Sequence, residues 1–109
     1  MNVKQLYEAT GFHVLTAPSP EREIKGAYIG DLLSWVMGRA RENNAWITIM
    51  SNANIIAVAT LADVSCIVLA EGVTLEEEIL LTAEKKGVNV LSSQLSAYEI
   101  AKELYKLNI

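Results

Sequence analysis

Short apolar runs alternate along this chain with segments that carry helix signals, and this alternation constrains the fold more than any other feature. Residues 45–50 (AWITIM) and 66–70 (CIVLA) are apolar runs of strand length, the pattern typical of parallel strands buried on both faces. Shorter strands are predicted at residues 13–15, 26–30 and 88–91. Strands that alternate with helices favour right-handed crossovers. We therefore expect an α/β fold, a mostly parallel sheet of four or five strands with helices on both faces.

The two longest apolar runs predict the centre of the sheet. We expect seven of their residues there: Trp46, Ile47, Ile49, Cys66, Ile67, Val68 and Leu69. Residues 55–62 (IIAVATLA) form a helix that is apolar nearly all round, so both of its sides need a cover.

Polar residues and glycines predict where several helices begin and end. The candidate N-caps are Asn2, Asp31, Asn54, Thr74 paired with Glu77, and Ser96 paired with Glu99. Gly11 and Gly87 stand where a left-handed residue would end a helix.

Length and charge limit what kind of protein this is. The chain has 109 residues, 51% of them apolar, and a formal net charge of −4. We expect one domain over residues 1–109. Its nine basic residues are dispersed, which argues against a nucleic-acid or membrane surface, since both need concentrated Lys and Arg. The N-terminus lacks a signal-peptide pattern and no apolar stretch reaches membrane-spanning length, so we expect a cytoplasmic protein.

A search for catalytic groups finds no convincing set. His13 is the only histidine, and the sequence places no nucleophile or acidic partner beside it. Cys66 is the only cysteine and reads as a small buried hydrophobe. Neither a Gly-x-x-x-x-Gly-Lys-Ser/Thr nor a Gly-x-Gly-x-x-Gly phosphate loop is present. We expect no catalytic residues, no metal site and no cofactor.

The carboxyl ends of the predicted strands are where ligands bind in folds of this class. Seven residues are delivered to that edge and form the predicted ligand site: Asp31, Ser34, Asn52, Asn54, Glu71, Gly72 and Ser92. Helix N-termini at this edge favour a small anionic or nucleotide-like ligand. The alternative is that the polar residues at helix starts are caps and bind nothing.

Apolar surface on two predicted helices favours self-association. The predicted interface residues are Trp35, Ile56, Ala57 and Leu61, and a twofold homodimer is the default arrangement. The competing interpretation is that neighbouring helices or the loop with Pro18 and Pro20 cover these faces within one chain.

The sequence resembles the DRTGG domain family over nearly its whole length. The resemblance is carried by EREIKGAYIGDLLS at residues 21–34, WITI at 46–49, NIIAVA at 54–59, IVLAEG at 67–72 and GVNVLSS at 87–93. The tract that corresponds to the family's name departs from the pattern, with Glu21 in place of Asp and Ala27 in place of the second glycine.

This resemblance implies a regulatory module. Such domains occur beside CBS domains and in bacterial phosphotransacetylases. They are also similar to the N-terminal domain of HPr kinase/phosphorylase, which does not carry phosphoryl transfer, and through it to the uridine-nucleotide domain of Mur ligases. We therefore expect a non-catalytic regulatory module that self-associates and binds a small ligand. The alternative is a pure interaction domain that assembles with itself or with a regulatory protein partner.

Overall fold

The computed structural model describes residues 1–109 and confirms the predicted α/β architecture. The elements in chain order are α1 (Val3–Thr10), β1 (His13–Thr16), β2 (Ala27–Ile29), α2 (Leu33–Arg39), β3 (Ala45–Thr48), α3 (Asn54–Ala62), β4 (Cys66–Leu69), α4 (Glu77–Lys86), β5 (Val90–Ser92) and α5 (Ala97–Lys106). The five strands form one sheet in the order β1-β5-β4-β3-β2. Strands β2 to β5 are mutually parallel, and β1 runs antiparallel along the outer edge of β5.

Helices cover both faces of this sheet because the strand residues alternate between two cores. Trp46, Ile67 and Val90 face the layer formed by α2, α3 and α4. Ile47 and Val68 face α1 and α5. Both faces of the central strands are therefore buried, as their continuous apolar runs predict. None of the five helices combines the length and apolar character needed to cross a bilayer.

The predicted cap at Asn2, the predicted capping box at Ser96 and both predicted glycine helix ends are confirmed. The side chains of Asn2 and Ser96 each accept a hydrogen bond from the backbone N–H three residues later. The side chain at that later position in turn accepts a bond from the backbone N–H of Asn2 or Ser96. Gly11 and Gly87 end α1 and α4 in left-handed conformations, with φ of 74° and 75°. The groups that form these helix ends lie within a few residues of one another in the sequence, which explains why the sequence predicts them.

The other three predicted caps are wrong, because the chain bends before each helix begins. Helix α2 follows Leu32, and the Asp31 carboxylate instead accepts bonds from Thr48 Oγ1 at 2.8 Å and from the Ile49 N–H at 3.0 Å. Asn54 is already the first residue of α3 and donates its N–H to Asn52 Oδ1. Thr74 lies two residues before Glu76, the residue that directly precedes α4 and makes no side-chain cap.

The predicted centre of the sheet needs one correction at the end of β3. Trp46, Ile47 and the residues of β4 are buried there, but Ile49 lies beyond the last residue of β3 and is 47% exposed. Its N–H donates to the Asp31 carboxylate at 3.0 Å, and Ile49 takes no part in the strand pairing.

A buried polar residue directly precedes each of the three central parallel strands. These residues bind a crossing segment to the amino edge of the sheet, where the strands begin. Asn44, Ser65 and Asn89 stand directly before β3, β4 and β5. Their side chains donate hydrogen bonds to three carbonyls of the segment that crosses this edge: those of Lys25, Glu23 and Ser19 respectively. Residues 19–25 are thereby fastened to all three strands.

Arg22 lies within this crossing segment and completes the closure of the amino edge. Its guanidinium donates to Asp63 Oδ1 at 3.0 Å and to Asn43 Oδ1 at 2.8 Å. It also donates to the carbonyls of Asp63 and Val64 at 3.1 Å. In the tract that corresponds to the DRTGG name, Arg22 therefore has a structural role, and the departure Ala27 is an ordinary residue of β2.

Candidate ligand-binding cleft

A cleft of about 670 Å³ opens at the carboxyl edge of the sheet. It is lined by Thr10, Gly11, Phe12, His13, Gly72, Thr74, Ser92, Ser93, Gln94 and Leu95. These residues come from the α1–β1 turn, the β4–α4 loop and the end of β5 with the loop that follows it. The volume falls in the range of small-molecule sites, and the position is where ligands bind in open α/β sheets.

The antiparallel strand β1 supplies one wall of this cleft. His13 is the first residue of β1 and pairs with Ser92, the last residue of β5. An antiparallel strand begins at the edge where its parallel neighbours end, so the turn that holds Gly11 and Phe12 is delivered beside the β5 end. His13 and Ser92 therefore face the cleft from neighbouring strands.

A close contact between two loops sets the position of Gln94. Gly72 has a φ of +74° and donates its N–H to the Ser93 carbonyl at 2.9 Å. A Cβ at residue 72 would lie 2.6 Å from Gln94 Oε1, so a side chain there would displace the Gln94 amide. Glycine thus satisfies both the left-handed backbone and the packing of Gln94 at this position.

Several cleft side chains have unused hydrogen-bonding capacity. Ser92 is only 7% exposed, yet its hydroxyl makes no hydrogen bond within the protein. Every fully buried side-chain polar atom in the protein has a partner, so the Ser92 hydroxyl must reach the cleft. The side chains of His13, Thr74 and Gln94 are likewise without hydrogen bonds. These three side chains are exposed, so in the free protein they bond to water and remain available to a ligand.

The electrostatic character of the cleft is nearly neutral. No Lys, Arg, Asp or Glu is among its lining residues, and His13 is its only titratable side chain. The helix that follows the cleft, α5, begins with the Ser96–Glu99 capping box. The backbone N–H of Ser96 stabilises the ionised Glu99 carboxylate and lowers the pKa of this group. Helix α4 likewise has Glu77 and Glu78 in its first turn.

The structure divides the predicted ligand-site residues into two groups. Gly72 and Ser92 line the cleft, and Glu71 adjoins it as an exposed residue whose N–H donates to the Leu95 carbonyl. The remaining four lie around the ends of β2 and β3 and do not line it: Asp31, Ser34, Asn52 and Asn54.

Sequence reasoning missed His13, Thr74 and Gln94 as cleft residues. His13 could be placed in the cleft only from the direction of β1. A strand starts at the carboxyl edge of the sheet only if it runs antiparallel to the other strands, as β1 does. Thr74 was assigned to a cap that does not form. Gln94 depends on its contact with Gly72, which local sequence does not encode.

The predicted interface residues also fall into two groups, three that are exposed and one that is buried. Trp35 is 52% exposed on α2, with the Arg39 guanidinium 3.5 Å from the centre of its ring. Leu61 is 73% exposed and Ala57 is exposed on the neighbouring helix α3. Ile56 is 3% exposed and belongs to the core beneath them. Its place in the predicted interface is therefore corrected to a core position.

The chemically reactive side chains do not form a nucleophilic or metal-binding set. Burial raises the pKa of the Cys66 thiol to about 12 against the opposing effect of Arg22, so its reactive thiolate is scarce at neutral pH. No group of three His, Cys, Asp or Glu side chains is placed to hold a metal ion.

A solved structure shares this fold. The chain is similar to the CBS and DRTGG domains of the regulatory region of Clostridium perfringens pyrophosphatase, solved with its activator diadenosine tetraphosphate. The match has a TM-score of 0.74 at 15% sequence identity and covers 94% of this chain and 45% of that one. The chain thus spans less than half of its structural neighbour. No curated protein matches the sequence.

Comparison with protein-family models tests the resemblance that the sequence motifs indicate. The model of the DRTGG domain matches residues 5–107, nearly the entire chain. This match confirms the resemblance carried by residues 21–34 and the later motifs. The chain belongs to the DRTGG domain family.

Proposed function

We propose that this chain is a non-catalytic regulatory module that binds a small nucleotide-like ligand in the carboxyl-edge cleft. One observation carries the proposal. Three segments of the chain bring the polar side chains of His13, Thr74, Ser92 and Gln94 to one cleft, and none of the four has a hydrogen-bond partner in the protein. Three of them are exposed and the Ser92 hydroxyl opens to the cleft, so all four can bond to a ligand in place of water.

The comparison with the pyrophosphatase supports the regulatory part of this proposal. The neighbour's fold belongs to a regulatory region whose activator is a dinucleotide. That region contains CBS domains as well as a DRTGG domain, and this chain spans 45% of it. Binding by this chain alone is therefore the point to test.

The test is a thermal-shift screen followed by isothermal titration calorimetry. The panel holds adenosine, uridine, their mono- and triphosphates, and diadenosine tetraphosphate. A ligand that binds the native state raises the unfolding temperature by mass action. We expect at least one panel member to bind, and Ser92→Ala and Gln94→Ala to weaken it by about tenfold or more, because each removes a direct hydrogen bond.

Asn52→Ala provides the matched control. Asn52 is an exposed polar residue that follows β3 at the same edge but lies outside the cleft. Its replacement should leave the affinity unchanged. If no panel member binds, or if Asn52→Ala weakens binding as much as Ser92→Ala does, the proposal is refuted.

A second function, self-association, has its own observation. The outer surface of α2 and α3 exposes Trp35, Met37 and Leu61 at 52%, 49% and 73%. Trp and Met are enriched in interface cores, and a closed twofold dimer is the commonest assembly of soluble chains. We propose that a second copy covers this surface.

Sedimentation equilibrium over a micromolar concentration series tests the dimer. We expect a concentration-dependent dimer that Trp35→Glu weakens without lowering the unfolding temperature, since Trp35 lies outside the core. The matched control is Tyr98→Glu, which places the same charge on an exposed aromatic of α5, on the opposite layer. A monomer at all concentrations would overturn this second function.

A further inference from the structure

We infer that the cleft recognises the uncharged, nucleoside part of its ligand and discriminates against polyphosphates. This inference rests on the proposed function and concerns the same site. It follows from which charges surround the cleft and from the kind of hydrogen-bonding groups that enter it.

The lining offers no fixed positive charge for a phosphate chain. Its free polar groups are hydroxyls, one amide and one imidazole, and no Lys or Arg is among the lining residues. The chain as a whole has a net charge of −4. A multiply charged phosphate chain would be desolvated here without a counter-charge, which is unfavourable.

The helix starts beside the cleft are already occupied by carboxylates. Glu99 Oε1 accepts hydrogen bonds from the Ser96 N–H and hydroxyl, both at 3.1 Å, at the first turn of α5. Glu77 and Glu78 lie in the first turn of α4. A helix N-terminus attracts an anion because its free backbone N–H groups carry a partial positive charge. Here the protein's own acidic side chains already compensate that charge.

The groups that do enter the cleft match a nucleoside. The Gln94 amide carries a donor and an acceptor side by side, the arrangement that pairs with the edge of a nucleobase. The hydroxyls of Ser92 and Thr74 can each donate to and accept from ribose hydroxyls. At Gly11 no atom lies within 4 Å of where a Cβ would stand, which leaves this wall open for a flat ring to approach.

Calorimetry with matched ligands tests this inference. Adenosine and uridine are titrated at constant ionic strength without divalent cations, alongside their mono- and triphosphates. For the base that binds, we expect the triphosphate to bind at least about tenfold more weakly than the nucleoside, because added negative charge meets carboxylates and no cation.

A pair of charge variants makes the test specific to the cleft. Thr74→Lys places a cation on an exposed residue of the lining, and Ser34→Lys places the same charge on an exposed residue of α2 outside it. We expect Thr74→Lys to raise triphosphate affinity by about tenfold, and Ser34→Lys to raise it by less than about twofold, since exposed charges are screened over distance. Glu99→Gln should also raise triphosphate affinity relative to the nucleoside.

The failures of the two proposals are distinguishable. If the triphosphate binds more tightly than the nucleoside and Ser92→Ala weakens it, the inference about charge is overturned while the proposed function stands. If neither nucleosides nor nucleotides bind, the proposed function itself is refuted. If Ser34→Lys acts as strongly as Thr74→Lys, the selectivity belongs to overall charge and the inference is again overturned.

Discussion

The two edges of the parallel sheet are built from similar polar residues that are used in opposite ways. At the amino edge, Asn44, Ser65 and Asn89 are buried and their polar side-chain atoms are bonded to backbone. At the carboxyl edge, Ser92 is almost equally buried, but its hydroxyl has no partner in the protein.

This difference separates stability from function within one small domain. A buried polar group that makes all its hydrogen bonds holds its neighbours in place. Removing it leaves those neighbours buried without hydrogen-bond partners. An unsatisfied group contributes little to folding and remains available to a ligand. We therefore assign the fixing of the fold to the amino edge and ligand binding to the carboxyl edge.

The largest expected effect comes from Asn89→Ala at the amino edge. Asn89 donates to the carbonyls of Ser19 and Ser65 and accepts from the Ser19 N–H. Its loss leaves these backbone groups unpaired, so we expect the free energy of unfolding to fall by about 2–4 kcal/mol in urea denaturation. Ser51→Ala, at an exposed residue whose side chain makes no hydrogen bond, should change it by less than about 0.5 kcal/mol. Equal effects of the two variants would contradict the comparison.

A smaller effect is expected from Arg22→Lys in the crossing segment. A lysine ammonium cannot reproduce the planar fork with which Arg22 contacts Asn43, Asp63 and Val64. The Arg22 side chain is 27% exposed, so solvent moderates the loss, and we expect about 1–2 kcal/mol of destabilisation. Arg41→Lys, at an exposed residue whose guanidinium makes no hydrogen bond or ring contact, is the matched control. If Arg22→Lys has the same free energy of unfolding as the wild-type chain, a single positive charge is sufficient to hold the crossing segment at this edge.

Ser92→Ala should change the free energy of unfolding by less than about 0.5 kcal/mol, because no protein partner loses its hydrogen bond. The measurement is the same urea titration without ligand. A loss as large as that of Asn89→Ala would mean that the Ser92 hydroxyl is structural, and the contrast between the edges would fail.

The smallest effect concerns pH and the Glu99 carboxylate beside the cleft. Its pKa is lowered from 4.5 in the folded chain, mainly by the Ser96 N–H, so its contribution is present above pH 4.5 and is lost as pH falls below that value. Glu99→Gln should remove this part of the acid dependence of the unfolding temperature. An unchanged acid profile would show that the capping box does not favour the ionised form.

Local patterns in the sequence predict much of the fold. The apolar runs at residues 45–50 and 66–70 predict the centre of the sheet, and the run at 66–70 predicts burial on both faces. The cap at Asn2 and the box at Ser96 predict two helix starts, because these signals act over a few residues. Asp31 and Asn54 look like caps for the same local reason. Their actual partners, Thr48 for Asp31 and Asn52 for Asn54, are set by how the chain turns between elements.

The candidate site was predicted only in part because it depends on tertiary arrangement. The carboxyl edge is a property of any parallel sheet, and so Gly72 and Ser92 could be named in advance. His13 reaches the cleft only because β1 returns antiparallel to β5. Nothing in the apolar pattern of a four-residue strand specifies its direction, and its partner Ser92 lies far along the chain.

The central claim is that the two edges have separable roles, and a crossed measurement tests it most directly. The nucleoside that binds the wild-type chain is titrated by calorimetry into Ser92→Ala and Asn89→Ala, each at a temperature where that variant is folded, and both are unfolded in urea. We predict that Ser92→Ala loses about tenfold in affinity at unchanged stability, whereas Asn89→Ala keeps its affinity at reduced stability. Loss of both properties in both variants, or the reverse assignment, would contradict the account.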